Sequence, residues 1–227
     1  MVKERRVLER LREFLAPLRL PRTLRLKTEG CDGDPNAWYE DDAITVCYEY
    51  LDDILRNAPQ QTTSSGVTRM DAIIGPTLET FLHEAAHALF DYDSVPILGR
   101  EEDAADQFAA YFLLQFDEDD ARRLLRGVAH EYAREASSPP RKDKNLFADA
   151  HGLPAQRLYN LLCMAYGKDS KVFADLVGDG KLPTERADGC AEEYAQVSYA
   201  IDKLISPYID QDVAKRVRAK RWLNFDD

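Results

Sequence analysis

The stretch Thr77-Leu78-Glu79-Thr80-Phe81-Leu82-His83-Glu84-Ala85-Ala86-His87-Ala88-Leu89-Phe90 decides the fold. Its apolar residues recur at helical spacing on several faces, which predicts a helix that is buried on most sides. His83 and His87 are four residues apart, so they lie on one face of that helix, about one turn from each other. The alanines between and beside them leave room for neighbouring elements to pack closely.

Two imidazoles at this spacing can reach one ion, and tetrahedral zinc accepts imidazole nitrogen at about 2.0–2.1 Å. Glu84 directly follows the first histidine and projects to one side of the metal. There it can take a proton from a zinc-bound water, whose pKa the metal lowers to about 7. The motif therefore predicts a Zn²⁺ site held by His83 and His87, with Glu84 as the general base.

A catalytic zinc needs three protein ligands and one open position, and the third ligand should come from another helix. Glu102 and Asp106 share a face of a predicted helix that begins near Arg100, because they are four residues apart. Glu102 is the predicted third ligand, and Asp106 is the predicted acceptor for the second ring nitrogen of one histidine. Glu101 and Asp103 stay open as alternative third ligands, although acids in a first turn also favour the helix dipole.

Two residues further along the chain could complete the chemistry. Attack by water on a carbonyl leaves an oxyanion, and a His or Tyr donor opposite the metal can stabilise part of its charge. His151 lies in a glycine-containing turn before a predicted helix, which suits a residue that enters a cleft. Tyr159 is a weaker candidate for the same role, and Arg157 is a weaker candidate for a substrate contact.

Composition and charge limit the classes of function. The 227 residues are 44% hydrophobic and carry a formal net charge of −11, which argues against binding to nucleic acid or to an anionic membrane. No apolar run approaches the roughly 20 residues that cross a bilayer. The N-terminus lacks the apolar stretch of a signal peptide, so we expect a cytosolic chain or a mature form without its targeting segment. The oligomeric state is not predicted.

The periodicity predicts an α+β fold that is dominated by helices. We expect one domain over residues 1–227, with an amphipathic helix within residues 1–18, an exposed mobile loop over 58–69, and a small antiparallel sheet of Leu24–Thr28 and Ala43–Tyr48. The predicted helices after residue 48 are Tyr50–Leu55, Thr77–Phe90, Arg100–Phe116, Glu118–Ala136, Pro154–Tyr166, Lys171–Val177 and Thr184–Ile205. The four cysteines are Cys31, Cys47, Cys163 and Cys190, and their number alone favours neither free thiols nor the local pairings Cys31–Cys47 and Cys163–Cys190.

The motif His83-Glu84-x-x-His87 together with Glu102-x-x-Ala105-Asp106 resembles the gluzincin class of zinc metallopeptidases, which have a zincin-like fold. Further stretches resemble a bacterial family of metallopeptidases whose biochemistry is undefined. They include Asn36-Ala37-Trp38-Tyr39, Cys47-Tyr48-Glu49, Gly99-Arg100-Glu101-Glu102, Gln156-Arg157-Leu158-Tyr159-Asn160, Ala165-Tyr166-Gly167 and the segment from Leu182 to Cys190. The likeness extends from about Cys31 to Pro207.

The resemblance implies hydrolysis of peptide bonds in a peptide or protein substrate. Two alternatives stay open: a zinc hydrolase of a non-peptide amide, and a metal-bound inactive module that binds peptides. Because members of the bacterial family look exported, the resemblance also implies a periplasmic or secreted location and two disulfides.

Overall fold

The structure is a computed structural model, and it describes residues 6–138 and 146–220. Within these residues the chain is 61% helical with one small sheet, which confirms the predicted helix-dominated α+β class. The strands are β1 (Arg25–Glu29), β2 (Ala37–Glu40) and β3 (Ala43–Cys47). The helices are α1 (Val7–Leu15), α2 (Tyr48–Asn57), α3 (Arg69–Tyr92), α4 (Glu101–Leu113), α5 (Glu118–Ser137), α6 (Pro154–Lys168), α7 (Asp175–Gly178), α8 (Thr184–Ala187), α9 (Cys190–Leu204) and α10 (Gln211–Arg218), with short 3₁₀ turns at Leu146–Ala148 and Ser206–Tyr208.

The sheet is mixed, so the prediction of an antiparallel pair is wrong. Its strand order is β1-β3-β2, in which β1 runs parallel to β3 and β2 runs antiparallel to β3. The connection between the two predicted strands contains a third strand, β2. Because the chain travels back along β2 before it enters β3, β1 and β3 point the same way, as a parallel pair requires.

Helix α3 is the central element of the fold. It contributes Leu82 and Leu89 to the largest core cluster, Phe81 to a cluster with the sheet, and Ile73 to a third cluster under α2. The helix begins eight residues earlier than predicted and includes Pro76.

A capping box fixes the start of α3. The Asp71 amide donates to Oγ1 of Thr68 at 3.1 Å, and the Thr68 amide donates to Oδ2 of Asp71 at 3.2 Å. The loop over residues 58–69, which precedes α3, is buried near both ends, since Ala58 and Val67 are each only 4% exposed. The mobility of this loop stays a prediction.

Two predicted helices near the C-terminus have other bounds. The predicted helix Thr184–Ile205 is interrupted at residues 188–189 and forms α8 and α9. The predicted helix Lys171–Val177 is reduced to α7, which begins only at Asp175. The first change lies away from α3, because α9 packs mainly against α6.

Two disulfides join parts of the fold. Cys31 pairs with Cys47 at the ends of β1 and β3, and Cys163 pairs with Cys190 between α6 and α9. These are the two local pairings that the family resemblance favoured, and both are confirmed. Among residues 6–138 and 146–220, no helix has the length and apolar character needed to cross a membrane.

Candidate metal centre

Two histidines of α3 and one glutamate of α4 direct donor atoms to one point. Oε2 of Glu102 lies 3.0 Å from Nε2 of His83 and 3.4 Å from Nε2 of His87. The two Nε2 atoms are 3.2 Å apart. The helical period aligns the histidines, and the first turn of α4 supplies the carboxylate because the buried Ala105 and Phe108 hold that helix against α3.

The spacing of these three atoms fits a zinc ion. Tetrahedral coordination at 2.0–2.1 Å places any two ligand atoms about 3.3 Å apart. The observed separations of 3.0, 3.2 and 3.4 Å bracket that value. Two imidazole nitrogens and one carboxylate oxygen are also donors that zinc accepts, so the chemistry of the set agrees with its geometry.

The second ring nitrogen of each histidine has an acidic partner. Nδ1 of His83 donates to Oδ1 of Asp106 at 2.9 Å, and Nδ1 of His87 donates to Oε1 of Glu101 at 2.7 Å. Such contacts fix the orientation of the ring and leave Nε2 directed at the common point. Asp103 instead pairs with Arg100 at 2.8 Å, which turns its carboxylate away from the histidines.

The protonation of the site follows from these contacts. Burial lowers the pKa of His83, but the carboxylates of Asp106 and Glu102 outweigh it and raise that pKa to about 10. Hydrogen bonds from His151, His83 and His87 hold the pKa of Glu102 far below its usual range. A cation bound by these groups therefore replaces protons, so we expect metal uptake to weaken as the pH falls.

Glu84 differs from the other acids of the site. Its side chain lies beside the histidines, and the residue is only 7% exposed. Among the residues that the structure describes, its carboxylate has no hydrogen-bond or ion-pair partner. Burial raises the pKa of the Glu84 carboxyl above its usual value, although the neighbouring histidines oppose the shift. A carboxylate in this state is a good proton acceptor.

The structure brings His151 to the site and places Tyr159 elsewhere. Nε2 of His151 lies 2.8 Å from Oε2 of Glu102, and its ring stacks on that of His83 with centroids 5.6 Å apart. Tyr159 lines a neighbouring cavity together with Arg100 and Arg186. The two residues were predicted for one role, but only His151 lies where that role could be performed.

Three further residues join the site beside Asp106, and the sequence analysis named only Arg157 among them, as a candidate substrate contact. Arg157 donates to both oxygens of Asp106, at 2.7 and 2.6 Å. Its Nη2 lies 3.6 Å from Oε1 of Glu79, which accepts a hydrogen bond from Tyr132 at 2.7 Å. A signal for Glu79 was present, because it precedes His83 by one helical turn. Tyr132 had no signal of its own.

The donor atoms open into a cleft of about 410 Å³. One wall is formed by β2 and the residues before it, including Asn36, Trp38 and Tyr39, and the floor by α3 and α5. Within the described residues β2 pairs only with β3, so its other edge carries unpaired backbone groups. The cleft therefore joins a candidate metal centre to an open strand edge.

These features form a candidate metal site, with three donor atoms directed to one point, an adjacent carboxylate and an accessible cleft. A family model described as "Putative metallopeptidase" matches residues 1–205, so the chain belongs to that family. No curated protein and no solved structure matches the chain.

Proposed function

We propose that this protein is a zinc-dependent peptidase of the gluzincin type, in which His83, His87 and Glu102 hold the ion. The observation that carries the proposal is the convergence of their three donor atoms at separations of 3.0–3.4 Å. Bound zinc supplies a water of lowered pKa and polarises the carbonyl of the substrate. Family membership supports the metallopeptidase class at a coarser level.

Glu84 is the proposed general base. Its carboxylate is buried beside the ligands and is not engaged by another described side chain, so it can accept a proton from the attacking water. The same group can then carry that proton to the leaving amine. The raised pKa of its carboxyl favours the first step, because burial makes the carboxylate a stronger proton acceptor.

His151 is the proposed donor to the oxyanion. The hydrogen bond to Glu102 raises the pKa of His151, so the ring is protonated more readily than an exposed histidine. A protonated ring at the edge of the cleft can donate to the negatively charged oxygen that forms when water attacks. Tyr159 lines another cavity, and we assign it no part in this step.

The open edge of β2 favours a peptide over a non-peptide amide as substrate. An extended peptide can add to an unpaired strand edge through main-chain hydrogen bonds, and alternate side chains then enter pockets. Asn36, Ala37 and Trp38 line the same cleft as His83 and Glu84. A peptide on this edge would therefore lie beside the ligands.

We further propose that the protein is exported. Its two disulfides are typical of an oxidising compartment and are rare in the reducing cytosol. A periplasmic or secreted location agrees with both bonds.

Two measurements test the proposed function. Elemental analysis should find about one zinc per chain, a single ion being all that three donors at one point can hold. The zinc should be lost in the double variant His83→Ala/His87→Ala and kept in the control His130→Ala, which alters the one histidine outside the cleft. Zinc retained by the double variant would remove the ligand assignment.

Turnover of a peptide library should then separate the alternatives. Glu84→Gln should keep zinc and lose nearly all cleavage, whereas Glu192→Gln on the exposed face of α9 should cleave like the unaltered protein. Cleavage that survives in Glu84→Gln would exclude Glu84 as the base. A zinc-loaded protein that binds peptides but never cleaves them would instead support the inactive binding module.

A further inference from the structure

We propose that Arg157 is a positioning residue for the metal centre: it fixes the carboxylate of Asp106 and, through it, the ring of His83. The inference rests on the proposed zinc site and adds a residue to it that makes no contact with the ligand atoms. Arg157 lies in the first turns of α6, three residues after the Pro154 that begins the helix.

Arg157 and Asp106 form a bidentate salt bridge. Nε of Arg157 donates to Oδ2 of Asp106 at 2.7 Å, and Nη2 donates to Oδ1 at 2.6 Å. This parallel pair fixes the plane of the carboxylate as well as its position. Oδ1 also accepts the Nδ1 proton of His83 at 2.9 Å, so the orientation of that ring follows from the orientation of the carboxylate.

The guanidinium is itself held from two other sides. Its carbon lies 4.5 Å from the centre of the Tyr132 ring, a cation–π contact. Tyr132 donates to Glu79, whose Oε1 lies 3.6 Å from Nη2 of Arg157. Side chains of α3, α4, α5 and α6 therefore meet at one cation.

This arrangement requires an arginine. A lysine would present a single point charge, which could approach one carboxylate oxygen but could not fix the plane of the group. With the plane free, Asp106 could rotate and the His83 ring could turn away from the common point. The geometry thus assigns to Arg157 the orientation of a ligand that it does not touch.

The test compares Arg157→Gln with the matched variant Arg122→Gln. The Arg122 side chain is 19% exposed against 18% for Arg157, pairs with Asp175 at 2.8 Å, and lies over the ring of Phe173. Arg122 lies on α5 and lines a different cavity, and it lines no part of the cleft at the candidate metal centre. Either substitution should lower the thermal midpoint of unfolding, but only Arg157→Gln should weaken zinc binding.

The measurement is zinc affinity, by competition with a chromophoric chelator on metal-free protein shown to be folded by circular dichroism. Arg157→Gln should bind zinc about 10–100-fold more weakly, the usual loss when an outer contact of a ligand is removed. Arg122→Gln should bind it as the unaltered protein does. If the glutamine variant does not fold, Arg157→Lys keeps the charge and should still lose affinity. Unchanged affinity in the folded Arg157 variant would overturn the proposal.

A double variant tests whether Arg157 acts through Asp106. In an Asp106→Asn background, Arg157→Gln should cause little further loss of zinc affinity, because the carboxylate through which Arg157 orients His83 is already absent. Fully additive losses would contradict action through Asp106. Failure of the unaltered protein to bind zinc at all would refute the proposed function instead, so the two failures are distinguishable.

Discussion

Three neighbouring acids at the start of α4 have distinct surroundings, and these predict distinct effects on zinc binding. Glu102 approaches Nε2 of both histidines, Glu101 approaches only Nδ1 of His87, and Asp103 pairs with Arg100. Glu102→Gln should therefore lower zinc affinity by more than about 100-fold, since it removes a ligand rather than an outer contact. Glu101→Gln should lower it by about tenfold, and Asp103→Asn should leave it unchanged.

Chelator competition on the three purified variants provides the comparison, with Asp103→Asn as the matched control. If Glu101→Gln or Asp103→Asn caused the largest loss of zinc affinity, that residue would be the third ligand instead of Glu102. The sequence favoured Glu102 because Asp106 follows it by one helical turn, but Glu101 and Asp103 stayed open because all three acids lie in the same turn.

At the same scale, residue spacing predicted only which site residues share a face of one helix. The period places His83 and His87 on one face and Glu102 and Asp106 on another, and the structure brings these faces together. The helical period does not indicate which cavity a residue on another helix faces. Arg157 and Tyr159 are two positions apart, about 200° around a helix. Arg157 contacts Asp106 and lines the cleft, whereas Tyr159 lines the neighbouring cavity, which Arg157 also borders.

At the scale of elements, local pattern predicted the presence of a strand better than its direction. The alternation around Leu26 and the β-branched run around Ile44 both indicated strands, and both strands form. Direction depends on the course of the connection. Because the connection contains β2, it carries the chain back to the starting end, and no property of β1 or β3 alone reveals that route.

The start of α3 shows a second limit of local pattern. Gly75 and Pro76 are usual helix breakers, and the predicted helix began only at Thr77. In the structure both lie inside α3. Gly75 is placed there by packing, since a Cβ on it would lie 2.6 Å from the carbonyl oxygen of Leu124 in α5. A contact between distant helices thus overrides the local preference.

That crossing of α3 and α5 makes a prediction about stability. A Cβ on Gly127 of α5 would lie 1.9 Å from the carbonyl oxygen of Asp71 in α3, so Gly127→Ala must push the two helices apart. We expect the free energy of unfolding to fall by at least about 2 kcal/mol. Gly178→Ala is the matched control, because its added methyl meets nothing within 4 Å. Urea unfolding curves check both, and equal midpoints would contradict the close crossing.

At the scale of the whole molecule, the two disulfides tie separate parts of the chain around the site. One closes a 16-residue separation across the sheet, and the other closes a 27-residue separation between α6 and α9. Neither bond contacts the proposed ligands directly. Their contribution should therefore appear in the free energy of unfolding and leave the metal content unchanged.

The double variant Cys163→Ser/Cys190→Ser should lose about 3.5 kcal/mol of that free energy, and Cys31→Ser/Cys47→Ser about 3 kcal/mol, because the longer loop restricts the unfolded chain more. Urea unfolding in the absence of reductant measures both losses, and elemental analysis of the same samples should find zinc retained. Mass spectrometry of the unreduced, unaltered protein provides the direct check on the bonds themselves. Four free thiols in protein purified in air would remove both the stability difference and the argument for export, while the zinc ligands would be untouched by that result.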